Sequence, residues 1–412
     1  MYAGRGGVVS VLLSGLRVVE CGAFVAVPLA GMTLAQMGAE VIRIDRLQGG
    51  LDARRWPVTE NGASLFWAGL NKGKRSVAID LAQPEGQELA AALITAPGRD
   101  AGCFLTNLRA AGGLDYPALA ARRADLIMVS LLGTRRGEPA VDYTVNAAVG
   151  FPMATGEPGQ GPVAHVLPAW DCIAGGMVVQ ALLVAERHRL RTGAGQLAEL
   201  SLKDVAAAML GNLGIIGEVL VNHHDRPRIG NALYGAYGMD FLCRDGIRVM
   251  VVGLTARQWG GLVKVTGIGA GVAALTARLG LDLADEGNRF RARDAITVLL
   301  APWFAARDLA EVAALFQAAG LTWAPFRSFA QAVRTDPDLS PDNPIFTLLD
   351  QPGIGTFPVP GSPIHFGGAA RLAPVAAPLL GQDTEEVLAG VLGLGSGAIG
   401  ALVDRGLVGV VA

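Results

Sequence analysis

Residues 16–46 read LRVVECGAFVAVPLAGMTLAQMGAEVIRIDR, and this stretch decides the class of the fold. Residues 16–20 and 40–46 are short apolar runs, which is typical of buried strands, and residues 26–37 between them have the length of a helix. Two strands joined by a helix form a right-handed βαβ unit with parallel strands. The sequence therefore predicts that the chain begins as a Rossmann-like α/β sheet.

The same alternation continues along the first third of the chain. The further predicted elements are strands at residues 76–80, 102–107 and 126–132 and helices at residues 84–95 and 116–123. In a parallel sheet, ligands bind beyond the carboxyl ends of the strands. We therefore expect a binding site around residues 22–27, Asp45, Arg46, Asn107 and the loop after residue 132.

A change of composition predicts a second domain. Residues 222–231 read NHHDRPRIGN, which is polar and rich in turn formers, so we place the end of the large domain at residue 222. Asp245-Gly246 between two apolar runs indicates a hairpin, and helical patterns follow it. Residues 223–335 are thus predicted as a smaller α+β domain, and the Asp- and Pro-rich stretch TDPDLSPDNP after it as a linker.

Composition excludes several classes of protein. The 412 residues are 51% hydrophobic and 17% charged, which indicates a densely packed soluble protein. A net charge of -2 gives no general attraction to nucleic acid or to an anionic membrane, so we expect neither as a partner. The apolar runs at residues 173–185 and 387–403 are too short or too rich in glycine to predict a transmembrane segment.

Cysteine usage and the first residues bear on location. The chain contains four widely spaced cysteines and no CxxC pair, which argues against a zinc site or a disulfide framework: Cys21, Cys103, Cys172 and Cys243. A reducing, cytoplasmic location fits this pattern. Residues 1–16 contain a short apolar run without an A-x-A cleavage site, so we expect an N-terminal extension rather than a signal peptide.

One acid stands out within residues 165–189, HVLPAWDCIAGGMVVQALLVAERHR. Asp171 lies where an apolar loop becomes an apolar, mostly buried helix, because Pro168 suits a first helical turn. A carboxylate there would face unpaired N–H groups and the positive end of the helix dipole, worth roughly 0.3 to 1 kcal/mol to its ionised form. We expect Asp171 to stay charged and nucleophilic; the alternative is that it only caps the helix.

Cations are concentrated in residues 70–75, LNKGKR. Together with Arg46, Arg54 and Arg55 they predict a cluster for a phosphorylated ligand such as an ADP moiety, the alternative being a solvated charge run. Asp45 follows Gly22 by 23 residues, where the ribose-binding acid of an NAD site belongs, but the turn lacks G-x-G-x-x-G.

Two other site types have weak support. His223, His224 and Asp225 are adjacent on a polar turn and are unsuited to converge on one metal ion. A serine hydrolase is disfavoured because no G-x-S-x-G motif occurs.

Four stretches in one order resemble the family III CoA-transferases over nearly the whole chain. They are GAFVAVPLAGMTLAQMGAEVIRID (22–45), LFWAGLNKGKRSVAIDL (65–81), LPAWDCIAGG (167–176) and APLLGQDTEEVL (377–388). The resemblance implies a large Rossmann-like domain built from both ends of the chain, so that residues 336–412 are a linker and a return to it. It also implies a smaller domain between these ends and an interlocked homodimer.

The resemblance also implies the ligand and the site. CoA is expected as part of the substrate, an acyl-CoA thioester, with no tightly bound cofactor and no metal. Asp171 falls on the family's catalytic aspartate, which implies aspartyl anhydride and aspartyl-CoA thioester intermediates. The positions implied to contact CoA are Phe24, Val25, Ala26, Arg46, Leu70, Asn71, Lys72, Lys74, Arg75 and Asn107.

Departures from two branches of the family narrow the activity. The racemase branch carries a His-Asp pair where this chain has Val141-Asp142. His165 is left open as a substitute for the missing acid–base histidine. The glycine-only loop of the formyl-CoA transferases has no counterpart, the nearest stretch being GNALYGAYG at 230–238.

The chain most resembles the branch that moves CoA between the C1 and C4 carboxyls of one small dicarboxylic acid. The resemblance lies in RWPV (55–58), VDYTVN (141–146) and HVLPAWD (165–171). An intermolecular CoA-transferase for another acid and a non-catalytic CoA-binding protein remain as alternatives.

Overall fold

The computed structural model describes residues 11–108 and 112–410, so residues 1–10 of the predicted N-terminal extension lie outside the described residues. The chain forms two compact units. The larger contains the described residues up to Val149, His165–His224 and those from Pro337, and the smaller contains Gly150–Ala164 and Asp225–Asp336.

The segment Gly150–Ala164 differs from the sequence-based division, which left it in the large domain. It belongs to the smaller unit because residues after Asp225 bind its backbone. Arg228 donates from Nε to the Thr155 carbonyl at 3.1 Å, and the Gly230 N–H donates to the Gly156 carbonyl at 3.0 Å.

The regular elements are numbered in chain order. The strands are β1 (Arg17–Cys21), β2 (Glu40–Asp45), β3 (Arg75–Ile79), β4 (Cys103–Thr106), β5 (Ile127–Leu132), β6 (Gln196–Ser201), β7 (Tyr237–Leu242), β8 (Arg248–Gly253), β9 (Thr322–Pro325), β10 (Phe346–Gln351), β11 (Gly355–Pro360) and β12 (Val408–Gly409). The helices up to residue 222 are α1 (Ala26–Ala35), α2 (Leu65–Leu70), α3 (Pro84–Thr95), α4 (Tyr116–Arg122), α5 (Asp142–Ala148), α6 (Phe151–Ala154), α7 (Ala169–Thr192), α8 (Leu202–Asn212) and α9 (Ile215–Asn222). The remaining helices are α10 (Ala256–Thr266), α11 (Gly269–Leu279), α12 (Glu286–Arg291), α13 (Arg293–Ala305), α14 (Leu309–Ala318), α15 (Phe329–Thr335), α16 (Thr384–Leu392) and α17 (Ser396–Asp404).

The larger unit is built on a seven-stranded sheet in the order β12-β3-β2-β1-β4-β5-β6. All neighbours are parallel except β12, which pairs antiparallel with β3. Val19 of β1 lies between Ile42 of β2 and Phe104 of β4, and all three are buried. The predicted α/β class with a mostly parallel central sheet is confirmed, and the strand order reverses between β1 and β4.

Helix α7 packs against α1 at Gly175. A Cβ added to Gly175 would lie 2.9 Å from the Ala26 carbonyl oxygen, so glycine permits this close approach of the two helices. The approach brings the beginning of α7 to the beginning of α1, which follows β1. The first turns of two helices therefore converge beyond the carboxyl end of the sheet.

Helix α7 is less buried than the sequence predicted. One face packs on α1, β5 and β6, while Val184 and Leu190 on the other face are each 60% exposed. By length and composition α7 is apolar enough to cross a membrane, but its packing on the sheet is that of a core helix. The predicted helix at 202–217 is also interrupted, because Gly214 adopts φ +76° between α8 and α9.

The smaller unit is an antiparallel sheet, β7-β8-β9, covered by helices. The β7–β8 connection contains Asp245-Gly246, as the sequence predicted, and Gly246 has φ +79°. Its core is aromatic: the Phe241 and Phe304 rings stack with centroids 4.3 Å apart.

Candidate active site

The loop after β1 is held in an unusual conformation. Phe24 has φ +64°, a left-handed conformation that costs a non-glycine residue roughly 1 to 2 kcal/mol. Its N–H donates to both carboxylate oxygens of Asp52, at 2.9 and 3.0 Å. Asn107 accepts from the Ala23 N–H at 2.9 Å and donates to the Ala23 carbonyl at 2.8 Å. The predicted residue Asn107 thus fixes this loop.

A buried ion network lies beneath the loop. Arg43 donates from Nε to Asp45 at 2.7 Å and from its two Nη atoms to Glu20 at 3.1 Å and to Asp52 at 3.2 Å. The Lys74 ammonium contacts both Glu20 oxygens, at 2.9 and 2.8 Å. All five side chains are buried. Each acid of the network has a cation within hydrogen-bond distance.

The network determines the roles of several predicted residues. Lys74 also donates to the Pro28 carbonyl at 2.8 Å and to the Asn71 side chain at 3.0 Å, so its ammonium is taken up inside the protein. Burial lowers the pKa of Lys74 to about 8. Asp45 accepts from the Ser76 hydroxyl at 2.7 Å as well as from Arg43. Each carboxylate oxygen of Asp45 therefore already accepts a hydrogen bond from within the protein.

The other predicted cations have different surroundings. Arg75 lies 2.8 Å from Glu40 and 3.0 Å from Glu386. Lys72 donates to the Gly69 carbonyl at 2.8 Å, and burial lowers its pKa to about 8. Arg46 is exposed. The predicted cation cluster is therefore not assembled as one patch.

A cavity of about 1100 Å³ opens beyond the carboxyl ends of β1, β2, β3 and β4. Its lining includes Ala23 from the β1 loop, Arg46, Asp80 and Thr106. Among the predicted CoA contacts, Arg46 lines this cavity. The others lie outside its lining: Phe24, Val25, Ala26, Leu70, Asn71, Lys72, Lys74, Arg75 and Asn107.

Asp171 is the third residue of α7, and a second acid caps the helix. The buried Asp142 accepts from the Trp170 N–H at 2.7 Å and from the Asp171 N–H at 3.1 Å through one oxygen. His165 Nε2 lies 3.3 Å from its other oxygen. The capping function that the sequence left open for Asp171 is thus performed by Asp142. Within residues 11–108 and 112–410, no group donates a hydrogen bond to the Asp171 carboxylate.

The protonation of Asp171 differs from the expectation. Burial and, to a lesser extent, the Asp142 charge raise its pKa to about 6, against the Arg55 charge, which lowers it. The sequence predicted stabilisation of the ionised form by free N–H groups, but Asp142 already binds those of Trp170 and Asp171. An unpaired, half-buried carboxylate of this kind is a better nucleophile than one held by hydrogen bonds.

Arg55 lies on two aromatic rings near this acid. Its guanidinium carbon is 5.3 Å from the centroid of Phe24 and 5.1 Å from that of Phe66. The sequence indicated Arg55 as one cation of a cluster and within the RWPV stretch, and Asp142 within VDYTVN beside a missing histidine. The functions of Arg43 and Asp52 were missed, because Arg43 binds Glu20 from 23 residues away and Asp52 binds the Phe24 N–H from 28 residues away.

The alternative metal site has no support in geometry. His223 is exposed, with φ +52°. Among the residues that the structure describes, no group of three or more His, Cys, Asp or Glu side chains is arranged to hold a metal ion.

Comparison with known proteins assigns the family. The profile of CoA-transferase family III matches residues 13–384. The chain belongs to this family. It is therefore a family III CoA-transferase, an enzyme class that uses CoA thioester substrates.

Relatives and solved structures agree with this assignment. The chain is 57% identical over 400 residues to 2-methylfumaryl-CoA isomerase of Chloroflexus aurantiacus, covering 96% of this chain and 98% of the relative. It is 34% identical to succinate–glutarate CoA-transferase of Agrobacterium fabrum, covering 63% of this chain and 67% of the relative. A CAIB/BAIF family protein from Brucella suis superposes with a TM-score of 0.74 at 27% identity, covering 92% of this chain and 99% of that one.

Proposed function

We propose that this enzyme moves CoA between the C1 and C4 carboxyls of 2-methylfumarate (mesaconate), converting 2-methylfumaryl-CoA into 3-methylfumaryl-CoA. The relative with 57% identity carries the name of this activity. The observation that carries the mechanism is the Asp171 carboxylate, half-buried at the beginning of α7 and free of hydrogen bonds from described residues.

The first half of the reaction breaks the thioester. The Asp171 carboxylate attacks the thioester carbonyl, the C–S bond breaks, and the products are an aspartyl anhydride and the CoA thiolate. The thiolate then attacks the aspartyl carbonyl of the anhydride. This step forms an Asp171-CoA thioester and releases the diacid as a carboxylate, with no net uptake or loss of protons.

The second half repeats these steps at the other end of the diacid. Its second carboxylate attacks the Asp171 thioester, giving a new anhydride and the thiolate. The thiolate attacks the acyl carbonyl, which gives the regioisomeric CoA ester and frees Asp171. A diacid that stays bound presents its second carboxylate at a high effective concentration, since the step is unimolecular.

The cavity beyond β1 to β4 is the proposed location of the CoA nucleotide. Its volume of about 1100 Å³ suits a ligand larger than a typical small substrate. It lies beside the loop that contains Phe24 and Val25 and leads into α1 at Ala26. Arg46 is the lining cation that we assign to a phosphate.

Arg46→Gln should raise KM for the CoA ester about tenfold at low salt and less at high salt, because exposed cation–phosphate contacts are screened. Arg75→Gln, whose guanidinium is paired with Glu40, is the matched control. An equal effect of both substitutions would contradict the assignment of Arg46.

We also propose a cytoplasmic, interlocked homodimer. Helix α9 buries none of its residues, and Leu220 and Val221 are 69% and 75% exposed. Helix α15 likewise buries none, and Phe329 is 86% exposed. Apolar faces of this extent mark contact surfaces. Light scattering after size exclusion should give a particle mass of twice the 42.5 kDa chain mass. The Leu220→Glu variant should give a lower particle mass.

An intermolecular CoA-transferase is the second candidate, since one relative at 34% identity is named for transfer between two acids. Both candidates are separated by incubating the enzyme with 2-methylfumaryl-CoA and excess isotope-labelled free mesaconate, with the two regioisomers resolved by chromatography. Isomerisation without label in either ester supports the proposal. Labelling at the isomerisation rate would show exchange with solution and favour the second candidate.

A further inference from the structure

Arg55 carries a guanidinium whose polar edge is free. The guanidinium lies over the rings of Phe24 and Phe66, and these cation–π contacts hold it in place although the side chain is exposed. Among the described residues, no acceptor lies within hydrogen-bond distance of these N–H groups. The fork of donors is therefore oriented by the two rings and faces solvent, an arrangement suited to bidentate binding of a carboxylate.

The position of Arg55 relates it to the nucleophile. Phe24, on which it lies, belongs to the loop leading into α1, and α1 meets α7 at Gly175, one turn after Asp171. The Arg55 charge also lowers the pKa of Asp171, which is a sign of proximity. Arg55 and Asp171 thus belong to the same site in the larger unit.

Three other arginines have surroundings that differ from those of Arg55. Arg54 is exposed, as Arg55 is, but it stacks on neither ring. Arg226 lies over the Tyr234 ring, and Arg228 donates to the carbonyls of Thr155 and Gln160. Arg55 is distinguished by having both a fixed plane and free donors.

We propose that Arg55 is the residue that binds the second, non-thioester carboxylate of the substrate and thereby selects dicarboxylic acyl groups. This inference rests on the proposed function. With one carboxylate on Arg55 and the other at Asp171, a diacid released from the first anhydride is retained, and exchange of its two ends on the same pair of groups gives the regioisomer.

The test uses two ligands that differ in one charge. They are 2-methylfumaryl-CoA and its methyl ester at the free carboxyl, and their dissociation constants are measured by calorimetry in an Asp171→Asn background that does not turn over. With Arg55 present, the free acid should bind about 10- to 100-fold more tightly than the ester, the range for a charged hydrogen-bonded pair. Arg55→Gln should abolish this preference while leaving the affinity for the ester unchanged. Arg55→Lys should keep part of it, since a lysine retains the charge but not the fork.

Arg54→Gln is the matched control and should retain the full preference. Equal weakening of both ligands by Arg55→Gln would overturn the proposal and assign Arg55 a structural role, and an unchanged preference would overturn it as well. Isomerisation by the unmodified enzyme is measured separately. Its absence would refute the proposed function, whereas the ligand preference reports on Arg55 alone.

Discussion

Two groups of acids lie at the carboxyl edge of the same sheet, and their surroundings are opposite. Glu20, Asp45 and Asp52 are fully buried, and each contacts Arg43 or Lys74. Asp142 and Asp171 lie at the beginning of α7, where one acid raises the pKa of the other. The nearby cations are Arg55 and, when protonated, His165.

The difference indicates that the paired acids stabilise the structure and that the unpaired acid is suited to catalysis. The paired acids shape the loop after β1, because Asp52 holds Phe24 in its left-handed conformation. The unpaired acid Asp171 has no such task. A half-buried carboxylate without a partner is unfavourable for stability, and such groups are typical of catalytic sites.

The largest expected effect is the loss of turnover in Asp171→Asn and Asp171→Ala. Because the nucleophile is removed, the rate should fall about 1000-fold or more, while fold and CoA binding persist. Circular dichroism and calorimetric titration with CoA check the two conditions. Retention of more than a few per cent of activity by either variant would refute covalent catalysis by Asp171.

Lys74→Met should cause the largest loss of stability. It leaves Glu20 buried with Arg43 as its remaining cation, and breaking a buried ion pair costs about 3 to 5 kcal/mol. Urea unfolding measures the change. Lys72→Met, which removes a lysine bound to one carbonyl, is the control and should cost about 1 kcal/mol. Similar values for both variants would contradict the claim that the ion pairs of Lys74 contribute more to stability than the single hydrogen bond of Lys72.

Asp171→Asn should instead stabilise the protein at pH 7.5. The pKa of Asp171 rises from 3.8 to about 6 on folding, so at this pH the folded state carries a charge that burial disfavours. The neutral amide removes this penalty and should raise the free energy of unfolding by roughly 1 to 2 kcal/mol.

This gain should decline from pH 6 to pH 4 and vanish below, where both states are protonated. Urea unfolding at three pH values measures it. Unchanged stability at pH 7.5 would show that Asp171 is not under electrostatic strain.

Asp142→Asn is expected to move the acid limb of the pH–rate profile. Activity requires ionised Asp171, so kcat/KM should fall as the pH drops through about 6. Asparagine keeps the acceptor for the Trp170 and Asp171 N–H groups but removes the charge. The midpoint should therefore shift about half a unit to one unit lower.

A profile reduced in height but unmoved would assign Asp142 a purely structural role. Arg55, Cys172 and His165 also lie around the two acids. His165→Gln is the control for the histidine, because it leaves the Asp142 charge in place without a titrating partner.

Sequence patterns predicted what is local. The βαβ unit, the hairpin at Asp245-Gly246 and the position of Asp171 at the beginning of a helix follow from short runs of residues. The network could not be predicted in this way. Lys74 is 54 residues from Glu20, and the pair meets only because β1 and β3 flank β2 and because Gly31 leaves room for the Glu20 side chain.

The same limit applied to the beginning of α7. The sequence suggested that free N–H groups would stabilise the Asp171 charge, but Asp142 reaches these groups from 28 and 29 residues away. Sequence rules for helix capping consider only residues next to the helix end. They do not identify a capping residue that comes from another helix, as Asp142 of α5 does here.

The covalent intermediate on Asp171 tests the central claim most directly. The enzyme is incubated with 2-methylfumaryl-CoA, quenched in acid within the first turnovers and digested for mass spectrometry. We predict that the peptide containing Asp171 gains the mass of CoA bound as a thioester, and that the Asp171→Asn variant shows no such gain. An enzyme that turns over at its full rate with Asp171 unmodified at every quench time, or that carries CoA on another residue, would contradict the account.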